Sequence, residues 1–167
     1  MATRSRLLAA LAAICFGNLV TSPQGASANL TDTFSGLAGR WSGQGTVKPA
    51  TGPAERFNCV VTYIPQGSST RLRQNLRCNS ANDKLDAATH LELRGGKVVG
   101  RWQDNIYTGL NGTVSGTVKG GGFDIVLSGK FFTAKMTVVG SGCQQSVRVT
   151  PARADYIREV SASLRKC

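Results

Sequence analysis

Apolar residues in this chain recur mostly at every second position, the period of a strand with one buried face. The clearest run is Leu110 to Lys119. There Leu110, Gly112, Val114, Gly116 and Val118 fall on one face, and Asn111, Thr113, Ser115, Thr117 and Lys119 on the other. The same alternation marks Phe57-Cys59-Val61-Tyr63, Leu85-Ala87-Thr89-Leu91-Leu93, Val98-Gly100-Trp102, Phe123-Ile125-Leu127, Phe132-Ala134-Met136-Val138 and Val147-Val149. Turn chemistry separates these runs at Pro65-Gln66-Gly67-Ser68-Ser69, Gly95-Gly96, Gly120-Gly121-Gly122 and Gly140-Ser141-Gly142. About eight to ten short strands with no crossover helix predict an all-β antiparallel meander. One such sheet must close or fold over to bury its apolar face and remove its edges, so a small barrel is expected, with a β-sandwich as the alternative.

The tail from Ala152 to Cys167 fits two periods. Ile157, Val160 and Leu164 suit a helix face; Val160, Ala162 and Leu164 suit a strand face. A strand paired back onto Val147-Val149 is the reading adopted, because a hairpin there brings Cys167 near Cys143.

The amino terminus reads differently from the rest. Arg4 and Arg6 precede an apolar run, Leu7 to Phe16, that is too short to span a bilayer, and Ala26-Ser27-Ala28 offers a small-residue cleavage site. Residues 1–28 are therefore expected to be a secretory signal peptide, leaving 29–167 as one barrel domain. Ile14 before Cys15 does not suit lipidation of that cysteine. The address implied is periplasmic or secreted, in a bacterium. No other apolar run is long enough for a membrane helix.

That address changes the meaning of the cysteines. Cys59, Cys78, Cys143 and Cys167 remain after cleavage, an even number in an oxidising compartment, and three pairings are open. A turn centred on Ser68-Ser69 sets Cys59 opposite Cys78, Val61 opposite Leu76 and Tyr63 opposite Gln74. Directly opposed cysteines at a non-hydrogen-bonded site have Cβ atoms about 4 Å apart, as a disulfide needs. Cys59–Cys78 is expected on that ground, with Cys143–Cys167 as the remainder.

Composition adds charge. The formal net charge is +11, and it falls to +9 once Arg4 and Arg6 leave with the leader. Such a surface favours anionic neighbours. Part of it lies in Arg71-Leu72-Arg73-Gln74-Asn75-Leu76-Arg77-Cys78, where alternation sends Leu72, Leu76 and Cys78 inward and Arg71, Arg73 and Arg77 outward. These arginines recur about 7 Å apart, a ladder suited to repeated phosphates or sulfates. Arg56 and Arg101 extend it from neighbouring strands. The plainer reading is a solvated outer face that also discourages edge pairing.

Leu37-Ala38-Gly39-Arg40-Trp41, after Phe34, resembles the Gly-x-Trp stretch that opens lipocalins and other calycin-type barrels. The resemblance implies that Gly39 admits the chain to the barrel and that Trp41 plugs a closed end under an arginine from the last strand. Arg148, Arg153 and Arg165 are the candidates for that arginine. The mature chain is also similar to small exported proteins of alphaproteobacteria that begin Gly-Arg-Trp-Ser-Gly. A fainter similarity is to secreted barrel inhibitors of bacterial metalloproteases.

Catalytic constellations do not emerge. His90 is the one histidine and alternates outward beside Glu92. There is no Gly-x-Ser-x-Gly elbow and no Cys-x-x-Cys pair, and Asp83 and Asp86 fall on opposite faces. No enzyme activity, metal or cofactor is expected. Trp41, Tyr63, Trp102, Phe132 and Met136 are candidates to line an apolar cavity, or to be plain core. Phe131 and Tyr107 are expected on the outside, where aromatics beside positive charge form a binding rim.

The function expected is non-catalytic binding of a small apolar or amphipathic ligand. The alternative is docking of an anionic polymer, membrane or acidic partner on Arg71, Arg73, Arg77 and Arg101, with nucleic acid ranked below acidic glycans. Protease inhibition comes third. Oligomeric state is not legible.

Overall fold

The computed structural model describes residues 30–167 apart from 108, 120 and 154. The leader read at 1–28 lies outside the described residues. Helix α1 (Leu30–Leu37) leads into ten strands: β1 (Gly39–Pro49), β2 (Glu55–Pro65), β3 (Arg71–Asn79), β4 (Lys84–Arg94), β5 (Lys97–Asp104), β6 (Asn111–Lys119), β7 (Gly122–Gly129), β8 (Thr133–Ser141), β9 (Gln144–Pro151) and β10 (Ile157–Arg165). Every strand pairs antiparallel with its sequence neighbours, and β1 closes the barrel on β10, with Gly43 opposite Leu164. Closure removes the unpaired edges that a meander would otherwise expose. No helix among the described residues is long and apolar enough to cross a membrane.

The alternation seen in the sequence decides which side chains face in. β2 and β3 pair with Cys59 opposite Cys78, Val61 opposite Leu76 and Tyr63 opposite Gln74, and both disulfides, Cys59–Cys78 and Cys143–Cys167, are formed. The tail is a strand: Val160 meets Val149 and Ala162 meets Val147.

Helix α1 is the element that periodicity did not predict. Its segment carries few apolar residues, and it is helical because the barrel end gives Phe34 and Leu37 a place to bury. It packs on β2 and β7. Gly39, at φ 113°, turns the chain from helix to strand. The last helical turn leaves carbonyls without intrahelical donors. The Trp41 indole N–H donates to the Leu37 carbonyl at 2.7 Å, and the Lys166 ammonium donates to that of Gly36 at 2.8 Å.

The barrel therefore has two unlike ends. At the α1 end Phe34, Leu37, Trp41, Tyr63, Leu72, Val98, Phe123 and Val138 are fully buried and form the core. Each such side chain contributes roughly 1.5–3 kcal/mol by leaving water. The other end carries the β1–β2, β3–β4, β5–β6, β7–β8 and β9–β10 connections.

Candidate functional site

The inward face does not stay buried along its whole length. Val47, Leu76, Trp102, Leu127, Met136, Val147 and Val160 share the inward parity of the core residues on their own strands, yet they are only partly buried. Burial toward the end opposite α1 is uneven, since Phe57, Cys59 and Ala134 stay buried there while Leu93 and Val118 near α1 are only partly buried. The partly buried side chains away from α1 form the mouth half of the interior, and the fully buried ones near α1 form its floor.

The five cavity candidates separate between these two zones. Trp41 and Tyr63 belong to the sealed core. Trp102, Phe132 and Met136 belong to the open half, where the Trp102 and Phe132 rings meet edge to face with centroids 5.9 Å apart. Gly112 and Gly129 make room for the Trp102 indole: a Cβ on Gly112 would meet its Nε1 at 2.8 Å, and one on Gly129 would meet its Cζ2 at 3.0 Å. The indole N–H is buried and has no acceptor among the described residues.

A polar stripe crosses this apolar interior. Following the ladder, Tyr63 pairs with Gln74, Gln74 with Thr89, Thr89 with Trp102 and Trp102 with Gly112. Burial loosens along that row, from the buried Tyr63, Gln74 and Thr89 to the half-buried Trp102, as strand tilt carries the row from floor to mouth. At its deep end the Tyr63 hydroxyl donates to Gln145 Oε1 at 3.3 Å, and Gln74 is a second hydrogen-bond partner. Burial pushes the Tyr63 phenol above its ordinary value, and the two glutamines only partly oppose this. Gln145 Nε2 is buried without a partner among the described residues.

Sequence reasoning passed over Gln74 and Gln145. The signal was present, because Gln74 alternates with Leu72 and Leu76 and so had to face inward. A buried amide inside an apolar barrel is a costly choice unless something uses it.

Outside the barrel, the arginine ladder projects into solvent as expected, but it is not a run of unpaired charge. Arg77 pairs with Asp86 at 2.9 Å and Arg71 with Glu92 at 3.7 Å, and Arg94 also reaches Glu92 at 2.7 Å. The hydrogen bond from Arg94, and then Arg71, hold the Glu92 carboxyl below its ordinary value; Asn105 and then Arg77 do the same for Asp86. Arg73 turns to Asn75 at 3.1 Å. Across the strands Arg73 stands opposite His90 and His90 opposite Arg101, so a histidine sits between two arginines. A shallow groove on the outer wall is lined by Arg71, His90, Glu92, Val99 and Arg101. Arg56 stands apart, paired with Thr46 on β1.

None of the three arginines expected over Trp41 is there. Lys166 occupies that place, its Nζ 5.0 Å from the ring centroid. Arg148 instead pairs with Glu159 at 2.5 Å and Arg153 with Asp155 at 3.2 Å. Among the described residues no three His, Cys, Asp or Glu side chains gather as a metal site.

No family description and no curated protein matches the sequence. Similarity appears at the level of structure. Rv2717c from M. tuberculosis superposes with a TM-score of 0.67 at 17% identity, covering 84% of this chain and 98% of that one. The S-type phycobiliprotein lyase CPES from Guillardia theta superposes with a TM-score of 0.56 at 12% identity, covering 81% of this chain and 90% of that one. At these identities the likeness carries the fold: a small, closed, ten-stranded antiparallel barrel.

Proposed function

We propose that this chain is a non-catalytic binding protein, exported from its cell, that holds a small apolar or amphipathic molecule in the open half of the barrel. The observation that carries this reading is the unequal burial of one continuous inward face. A barrel that only had to be filled would bury Leu76, Trp102, Leu127 and Met136 as it buries Leu72, Val98, Phe123 and Val138. Ligand sites are concave, mostly apolar and furnished with a few convergent polar groups, and the mouth above the Tyr63–Gln74–Thr89 row has that composition. The two disulfides accord with an oxidising compartment.

The test is native mass spectrometry of protein purified without refolding, beside a denatured sample. Extra mass that leaves on denaturation is the expected result. Adding the released molecule back should shift the tryptophan emission saturably, and Trp102→Ala should remove the shift. Bare protein, with no saturable response across a panel of lipids and haem, overturns the reading.

A second reading places an anionic polymer on the outer wall. Arg73 and Arg101 on either side of His90 favour it; the ion pairs of Arg71 and Arg77 weigh against a long ladder. It requires retention that falls steeply with salt and is lost in Arg71→Ser/Arg73→Ser/Arg77→Ser.

A further inference from the structure

The two ends of the barrel differ in what they present to the outside. At the α1 end the connections are built of Gln66-Gly67-Ser68-Ser69-Thr70, Gly95-Gly96, Gly121 and Gly142-Cys143, and among the described residues they present no aromatic side chain. At the open end stand Tyr107, Phe131 and Tyr156, which are 57%, 73% and 86% exposed, with Ile106, Leu110 and Ile157 beside them. The three aromatics sit on the β5–β6, β7–β8 and β9–β10 connections, which follow one another around the rim.

The rim backbone is hydrogen-bonded at all three connections, and the rings stand exposed on it. The buried Asp104 carboxylate accepts the backbone N–H groups of Ile106 and Tyr107, each at 2.7 Å. The Gly129 N–H donates to the Phe132 carbonyl at 2.7 Å, and the Ala50 N–H to the Tyr156 carbonyl at 2.8 Å. Basic groups accompany the rings. Lys130 Nζ lies 5.1 Å from the Phe131 centroid, and exposed Arg158 lies two residues from Tyr156, while Arg153 is paired with Asp155 at 3.2 Å.

We propose that this rim is a membrane-docking surface. Tyr107, Phe131 and Tyr156 enter the headgroup layer of an anionic bilayer, Lys130 and Arg158 meet lipid phosphates, and the barrel mouth opens onto the lipid. Amphipathic aromatic rings partition to that layer, and each basic residue near an anionic surface adds attraction that salt screens. Geometry favours lipid over a protein partner. A protein interface needs a packed apolar centre inside a polar rim, whereas here the apolar groups form an arc over three neighbouring connections at the edge of the mouth. A fluid surface can seat such an arc without a complementary partner surface. Docking does not depend on the barrel holding a ligand, so it is tested separately.

The experiment is co-sedimentation of the disulfide-bonded protein with vesicles of phosphatidylcholine alone and of phosphatidylcholine mixed with phosphatidylglycerol. Binding to the mixed vesicles, weakened by salt, is expected. Tyr107→Ser/Phe131→Ser/Tyr156→Ser should bind at least about tenfold more weakly while keeping the wild-type melting temperature, since all three side chains are exposed. Lys130→Glu/Arg158→Glu should lose the preference for the anionic vesicles. In Phe131→Trp an additional emission should move to the blue when vesicles are added. No sedimentation of the wild type, or binding unchanged by the rim substitutions, overturns the proposal. So does binding lost instead in Arg71→Ser/Arg73→Ser/Arg77→Ser.

Discussion

Lys166 and Trp41 come from the last residues and the first strand of the barrel domain's sequence, and the ammonium of one stands 5.0 Å from the ring centroid of the other. The same ammonium donates to the Gly36 carbonyl while the Trp41 indole donates to Leu37. One lysine and one tryptophan thus close the floor of the barrel and satisfy the exposed carbonyls of the helix laid across it. β10, paired with β1 and β9 up to Arg165, carries the carboxyl terminus back to this position, and the Cys143–Cys167 bridge ties it there.

Lys166→Met keeps most of the side chain's bulk and removes its charge. The loss of one cation–π contact and one charged hydrogen bond at a helix terminus should cost about 1–2 kcal/mol. Urea denaturation should show a lower midpoint with an unchanged slope, and Lys166→Arg should recover most of the loss. A midpoint equal to wild type would mean that the contact contributes nothing.

The tether makes a further prediction about coupling. Cys143→Ser/Cys167→Ser should cost about 3 kcal/mol by freeing the unfolded chain. In that background Lys166→Met should cost less than it does in the bridged protein, because the lysine is no longer held over Trp41. A double-mutant cycle measures the difference as an interaction energy. Strict additivity would show that the terminal strand alone positions Lys166.

The sequence made the barrel and one disulfide legible for a definite reason. Cys59 and Cys78, Val61 and Leu76, and Tyr63 and Gln74 stand at matching distances from one turn with the same parity, so a single register satisfies all three pairs. Helix α1 was not legible, because Phe34 and Leu37 are helical through burial on the barrel end rather than through any local pattern. Lys166 was missed because it lies beyond the last strand, where alternation no longer assigns a direction. The ion pairs Arg71–Glu92 and Arg77–Asp86 depend on the β3–β4 register, which the periodicity of one strand cannot supply. Phe132 and Met136 looked the same as Trp41 and Tyr63 in sequence. What separates the first pair from the second is depth along the barrel axis, and strand tilt sets that depth.

Close strand approach, not conformational freedom, requires several of the strand glycines. A Cβ on Gly43 would strike the Ser163 carbonyl and lie 2.9 Å from Leu164 Cα; one on Gly116 would lie 2.6 Å from Ile125 Cα. Backbone atoms cannot swing aside, so Gly43→Ala and Gly116→Ala should each destabilise by about 1–3 kcal/mol or more. Gly36 in α1 is the contrast: nothing lies within 4 Å of its Cβ position. Gly36→Ala should be stabilising by up to about 1 kcal/mol. Thermal melts of the three variants check both signs.

The buried phenol of Tyr63 sets an alkaline limit on stability. In the unfolded chain it loses its proton near pH 10; in the folded barrel, burial raises that threshold and the hydroxyl stays protonated. The folded state therefore binds more protons above pH ~10, so the stability contribution is complete below that value and is lost as pH rises, at up to about 1.4 kcal/mol per pH unit. Tyr63→Phe should remove this slope. At neutral pH the same substitution leaves Gln145 without its partner, a loss of about 1–3 kcal/mol. The variant should thus be weaker than wild type near pH 8 and approach it by about pH 11. Urea midpoints across that range give the test, with Tyr156→Phe as the control that removes an exposed hydroxyl. Parallel alkaline limbs for Tyr63→Phe and wild type would place the titrating group elsewhere.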